Sequence, residues 1–326
     1  MSQITRRRFV VATVGAFSAP FAQAQPKVAR IGFLFAGALA QRPQTQGFWQ
    51  GLQELGYTPG RNLVIDVREA EGKFERLPDL ARELVNLKPD VIVAVTPAAI
   101  GAAQQATTSI PIVMAVTANP VGLGQVRNPA RPEGNITGTT IAFDSLATNK
   151  RLQLLKEMLP TVSRVGALWN ASSYTSGTTL KELETTASSL GVQLLSLPFQ
   201  GPNGLESAFA VAARERPHGL IVLVDPVTSD KRAAIIAFAS AHRIPAIYGF
   251  ADEALEGGLV GFGVNLREEY RRAAPYVDKI LKGAKPADLP VQQSTKVELV
   301  INLKTARKLG IIVPPVVLIR ADRVIG

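Results

Sequence analysis

Six apolar runs in this 326-residue sequence end on small polar groups. Ala36-Gly37, Thr96-Pro97-Ala98 and Thr117-Ala118-Asn119-Pro120 lie in the first part of the chain. Asn170-Ala171-Ser172, Asp225-Pro226-Val227 and Tyr248-Gly249-Phe250 lie further on. Hydroxyls, amides, one carboxylate and aromatic rings form a set suited to holding a small polar molecule. Reaction chemistry is poorly represented. The sequence has no G-x-x-x-x-G-K-[ST] phosphate loop, no H-E-x-x-H zinc motif and no G-x-S-x-G nucleophile elbow. Its two histidines, His218 in ERPHG and His242 in ASAHR, stand apart at a turn and a helix end, and it has no cysteine. We therefore expect no metal and no cofactor.

Two of these residues each admit two readings. Asp225 either pairs with a donor on a ligand or acts as the general base of a hydrolase. No partner base or nucleophile stands at a recognisable spacing from it. Thr96 either caps the helix that follows, with Pro97 in the first helical position, or marks a helix start whose free N–H groups near Ala98 and Ala99 receive an anion such as a carboxylate.

The elements that carry these residues alternate. Strand patterns at 28–36, 62–70, 91–95 and 110–116 are separated by helix patterns at 45–57, 77–89 and 97–108. The continuously apolar strands suit a parallel sheet covered on both faces, and strict alternation of strand and helix suits a doubly wound α/β lobe. A second round follows, with strands at 164–170, 219–225 and 244–250 and helices at 178–191, 205–216 and 231–243. The seam falls near GNITGTTIAF (134–143), where glycine and threonine replace the helix pattern. The tail (257–326) adds a strand, a helix, the Pro-rich linker KPADLPVQ and a closing strand–helix piece.

The first 24 residues read as an export signal. Arg6-Arg7-Arg8 precede an uncharged segment from Phe9, and Ala22-Gln23-Ala24 supplies the small-residue cleavage pattern. The paired arginines before phenylalanine fit a twin-arginine signal. We expect cleavage after Ala24 and a periplasmic product. The net charge is +10, and removal of the three leader arginines leaves +7. The basic residues are scattered and not interleaved with aromatics, so we expect no nucleic-acid partner.

Several stretches resemble the ABC-transporter substrate-binding proteins of the type that includes tryptophan/tyrosine-binding receptors. They are GFWQGLQELGYTPGRNLVIDVREAEG (47–72), KPDVIVAVTPAAIGAAQQATTSIPIVMAVTANPVGLGQV (88–126), RPEGNITGTT (131–140), LLKEMLPTVSRVGALWN (154–170), ILKGAKPADLPVQ (280–292) and ELVINLKTARKLGIIVP (298–314). The resemblance implies a type I periplasmic binding protein: two parallel-sheet α/β lobes, a three-strand hinge, and a ligand trapped between lobes that close. The expected lobes are 27–140 with 250–284, and 141–249 with 290–326. It further implies a monomer that is not an enzyme and that delivers a small polar organic ligand, an amino acid or a carboxylate, to an ABC permease in the inner membrane. The ligand-facing positions it implies are Ala36, Thr96, Pro97, Ala98, Thr117, Asn119, Asn170, Ser172, Asp225 and Asn265, with Phe35, Tyr174 and Phe250 as stacking candidates. Asn119 and Asn265 stand where amino-acid-binding members tend to have aspartate. That difference favours an uncharged or anionic ligand. A sensory protein acting on a membrane receptor, or an exported hydrolase using Asp225, are the alternatives.

Overall fold

A computed structural model describes residues 28–141, 145–173 and 175–326, apart from the side chains of Gln41, Ser145 and Leu146. The expected leader and Tyr174 lie outside the described residues. No helix among the described residues is long and apolar enough to cross a membrane.

Two sheets carry the fold. The strands are β1 (Ala29–Phe35), β2 (Leu63–Glu69), β3 (Val91–Val95), β4 (Ile112–Thr117), β5 (Ile136–Ile141), β6 (Arg164–Asn170), β7 (Gln193–Phe199), β8 (Gly219–Val222), β9 (Ala246–Tyr248), β10 (Val260–Gly263), β11 (Gln292–Ser294), β12 (Glu298–Asn302) and β13 (Arg323–Ile325). The first sheet has the order β11-β5-β4-β3-β1-β2, and the second β13-β12-β10-β9-β8-β6-β7. Pairing is parallel throughout the first sheet. In the second sheet β10 and β12 run antiparallel. The interior strands are apolar because helices cover both faces; all five residues of β3 are buried. The architecture is the expected pair of doubly wound α/β lobes of the type I periplasmic binding protein class.

Two lobe boundaries need correction. The sequence reading gave all of 250–284 to the first lobe. In the structure β10 pairs with β9 in the second sheet, and Leu259 and Val260 lie in the second core. The chain returns to the first lobe only with the helix Leu266–Leu281. The reading also gave 290–326 to the second lobe, yet β11 extends the first sheet beside β5. Both errors arise at short crossing segments whose backbone pairs on one side while the adjacent element packs on the other. The chain thus passes between sheets three times: after β5, after β10 and after β11.

Helix Leu266–Leu281 lies along helix Gln46–Glu54. The approach is close because Gly47 and Gly51 face it. A Cβ at Gly47 would come 2.0 Å from the Arg267 carbonyl oxygen, and one at Gly51 would come 2.8 Å from the Ala274 Cβ. These two glycines bring Tyr270, one turn into the longer helix, up to the space between the lobes.

Candidate ligand-binding site

The carboxyl ends of the parallel strands of both sheets face each other across a cleft of about 680 Å³ of atom-free space, part of it open to solvent. Parallel α/β sheets bind ligands at these ends. From the first lobe come Thr96, Pro97 and Ala98 beyond β3, and Val116 and Ala118 at the end of β4. The second lobe contributes Ser173 and Thr175 after β6 and Asp225 after β8. Phe74, Phe250 and Tyr270 supply rings.

Asp225 is 3% exposed and N-caps the short helix Pro226–Asp230. Its Oδ1 accepts from the Val227 N–H (2.8 Å) and from Asn170 Nδ2 (3.0 Å). Its Oδ2 is buried without a hydrogen-bond partner among the described residues. Burial pushes the carboxyl's pKa up; the Asn170 and Val227 hydrogen bonds, the nearby Ser173 hydroxyl and the charge of Arg42 pull the other way without cancelling it. Such a group binds strongly to a cationic donor that reaches Oδ2.

Thr96 does not cap its helix through its side chain. It occupies the N-cap position of helix Pro97–Ala106, and Oγ1 is buried without a partner. Its φ of 83° is rare for a β-branched residue. Ala98 and Ala99, like the early residues of any helix, have no carbonyl one turn back for their N–H groups. Val116 also has a positive φ, 50°, where the β4–β5 register shifts between Met114 and Thr117. Strained backbone at two cleft-lining residues fits a site shaped for binding.

Of the expected residues, Thr96, Pro97, Ala98, Asp225 and Phe250 line the cleft. Asn170 acts behind it, holding Asp225 and accepting from the N–H groups of Ser172 and Gly201. The others are placed elsewhere. Phe35 and Ala36 are fully buried in the first lobe's cores. Ser172 is exposed and engaged through its backbone. The unpartnered Oγ1 of Thr117 is buried between two cleft residues, because the register shift turns Val116 and Ala118 to the cleft instead. Asn119 is exposed and accepts from the Gly122 N–H, while Asn265 caps helix Leu266–Leu281 through Glu268 N. Neither asparagine lines the cleft, so an amide in place of aspartate at these two positions does not set the charge the ligand meets there.

Arg42 and Tyr270 were missed. Arg42 sits between two 3-10 turns, and Tyr270 lies inside a helix, so neither falls at a strand end. Arg42 crosses the cleft. Its Nε bonds Asp230 Oδ1 at 2.5 Å and its Nη2 bonds the Pro226 carbonyl at 2.8 Å. The Ala38 N–H donates to Asp230 Oδ2 at 2.9 Å. A Cβ on Gly72 would come 2.7 Å from Val227 Cγ2. The lobes are closed on one another at this seam.

The family model for ABC transporter substrate binding protein matches residues 28–325. This chain belongs to that family. A tyrosine-binding protein of Clostridioides difficile (strain R20291) is 26% identical to this substrate binding protein over 264 residues, 81% of this chain and 75% of that one. The structure of an ABC domain in complex with L-Trp from Streptococcus pneumonia is 26% identical, with a TM-score of 0.81 over 91% of this chain and 99% of that one. A ligand-free, open substrate binding protein from Clostridium difficile is 25% identical, with a TM-score of 0.61 over 88% and 97%. At nearly equal identity this substrate binding protein superposes better on the L-Trp complex than on the open structure, in keeping with the closed seam.

Proposed function

We propose that this substrate binding protein closes on an α-amino acid and hands it to an ABC permease outside the inner membrane. The observation that carries the reading is the Asp225 carboxylate, buried, with Oδ2 unpartnered in the wall of the cleft. An α-ammonium at Oδ2 would satisfy it through a charge-assisted hydrogen bond. The start of helix Pro97–Ala106, with the Thr96 hydroxyl beside it, lies in the opposite lobe and offers donors to the α-carboxylate. A ligand that carries both charges bridges the lobes and so favours the closed form over the open one. The tyrosine and L-Trp named for two relatives have both groups.

The same reading places the protein in the periplasm as a monomer, with the leader removed after Ala24. The hydrolase alternative has little support: among the described residues no histidine or lysine lines the cleft beside Asp225. Titration calorimetry of the purified protein with the standard L-amino acids tests the proposal. Micromolar or tighter binding of at least one is expected, lost when its α-amino group is acetylated. Equal binding of the acetylated compound would overturn the role given to Asp225.

A further inference from the structure

The last part of the second lobe, from helix Leu303–Leu309 through helix Pro315–Ile319 to the edge strand β13, is apolar where its packing does not require it. Residues 311–319 read IIVPPVVLI, without one polar side chain. Val313 and Val317 are buried in the second core, and Leu309, Ile311 and Leu318 pack against it. These anchor the segment. The remaining side chains stand in solvent: Ile312 is 91% exposed, Val316 60% and Ile319 85%. Val316 and Ile319, three residues apart, share one face of their helix. A surface helix ordinarily keeps its outer face polar. Four of the nine exposed large apolar side chains among the described residues fall within 312–324, so they are gathered and not scattered singly.

Positive charge surrounds them. Lys304, Arg307, Lys308 and Arg323 are exposed and form no ion pair among the described residues. Arg320 pairs with Glu157 at 2.6 Å. The single acid between 303 and 326 is Asp322, which accepts from the Leu299 N–H at 2.8 Å. This charge selects the occupant. A second copy of the chain would crowd like charges around the apolar contact. A protein partner is met through patches rich in aromatic residues and poor in lysine, and residues 303–326 have no aromatic side chain. Protruding aliphatic side chains ringed by lysine and arginine are complementary to an anionic lipid surface: the former enter the headgroup boundary and the latter meet the phosphates.

We propose that residues 303–326 are a docking patch for an anionic membrane surface, with Ile312, Val316 and Ile319 inserted at the headgroup boundary and the surrounding basic side chains on lipid phosphates. Three aliphatic side chains bury little area, so the attachment is reversible, and its electrostatic part fades within a Debye length. None of these residues lines the cleft. The patch belongs to one lobe, so the protein stays attached whether the lobes are open or closed, and the inference stands whatever the ligand is.

The test is vesicle flotation with the chain from Gln25 onward, because the apolar segment of the expected leader would itself bind lipid. Vesicles of phosphatidylglycerol and phosphatidylcholine in equal parts are compared with phosphatidylcholine alone. We expect at least about tenfold stronger binding to the anionic vesicles, weakening as salt is raised. The double variant Ile312→Ser, Ile319→Ser should bind about tenfold less, and Lys304→Gln, Lys308→Gln should lose about as much. All four side chains are exposed, so unchanged melting curves should accompany both losses. Equal binding to neutral vesicles would overturn the inference, as would anionic binding that survives the isoleucine changes. Retention by neither vesicle would overturn it and leave the patch to a protein. Sedimentation showing a dimer that the isoleucine changes dissolve would assign it to a second copy instead.

Discussion

Two neighbouring parts of the interlobe surface treat buried polar groups in opposite ways. At the seam, Arg42 and Asp230 satisfy each other, and Ala38 N–H and the Pro226 carbonyl complete the set. Burial alone would depress the guanidinium's pKa, but the facing Asp230 carboxylate outweighs it and the net direction is upward. In the cleft, Thr96, Asp225 and Tyr270 keep atoms without partners. The seam is a protein–protein contact between lobes and works without any guest. The cleft is complementary to something else. Closure therefore has two separable contributions, one built into the chain and one supplied by the ligand, and only the second should be selective.

Asp225→Asn should break the cleft side most severely. Asparagine can still cap the helix Pro226–Asp230, so folding is retained while the charge is lost. Affinity for an amino acid should fall at least about a hundredfold, roughly 3 kcal/mol, the cost of removing one partner of a buried charge pair. The wild type should also lose affinity as pH falls, because a neutral carboxyl cannot hold an ammonium. Since burial raises this carboxyl, the loss should set in at a higher pH than for an exposed aspartate. Calorimetry across pH 4–8 should show this dependence in the wild type and its absence in the variant.

Glu253 sharpens the comparison, because it is buried yet bonds within its own helix turn and not across the lobes. It accepts from the Phe250 N–H at 2.9 Å, and burial pushes its carboxyl up to about 7, with Asp252 adding to the rise and Arg151 opposing it. From about pH 4.5 to 7 the unfolded chain ionises before the folded one, so this group's contribution to stability is lost as pH rises through that window. Glu253→Gln keeps an acceptor for Phe250 N–H and should remove that loss, at most about 3 kcal/mol. The difference between wild-type and variant melting curves should grow in the variant's favour between pH 5 and 8. A constant difference would contradict the assignment.

The seam itself is tested by Asp230→Ala. The variant can open and hydrate Arg42, so the penalty should fall on closure more than on folding. We expect affinity to drop about thirtyfold, roughly 2 kcal/mol, and small-angle scattering of the ligand-free protein to show a larger radius of gyration. A large fall in melting temperature with unchanged affinity would place the pair in folding instead.

The sheets and the main cleft residues were readable from the sequence for a common reason. Apolar strands and the polar residues at their ends are local patterns, so Thr96-Pro97-Ala98, Asp225 and Phe250 could be picked out before the cleft that they line was seen. Lobe membership of β10 and β11 was not, because a three- or four-residue strand at a crossing carries no signal for which sheet it joins. Thr117 was expected to face the ligand, and the register shift that accompanies Val116 and Ala118 in the cleft leaves no local signature in the sequence. Arg42 and Tyr270 reach the cleft only through tertiary packing, in Tyr270's case through two glycines more than 200 residues earlier in the chain.

Thr96→Gly should have the smallest effect and the most informative sign. With φ at 83° the threonine holds a backbone conformation that glycine adopts without steric cost, and strain of this kind is worth about 1–3 kcal/mol. Glycine gives back part of that through the greater freedom of its unfolded chain. The net should be a gain in stability of up to about 1 kcal/mol. The same change deletes an unpartnered hydroxyl that the proposed carboxylate would use, so affinity should fall by about 1 kcal/mol, some fivefold. Opposite signs in the thermal melt and in calorimetry would mark Thr96 as a residue kept in strain for the ligand's sake. If stability and affinity fall together, the threonine serves the fold, and the helix start behind it is no longer the place to look for the carboxylate.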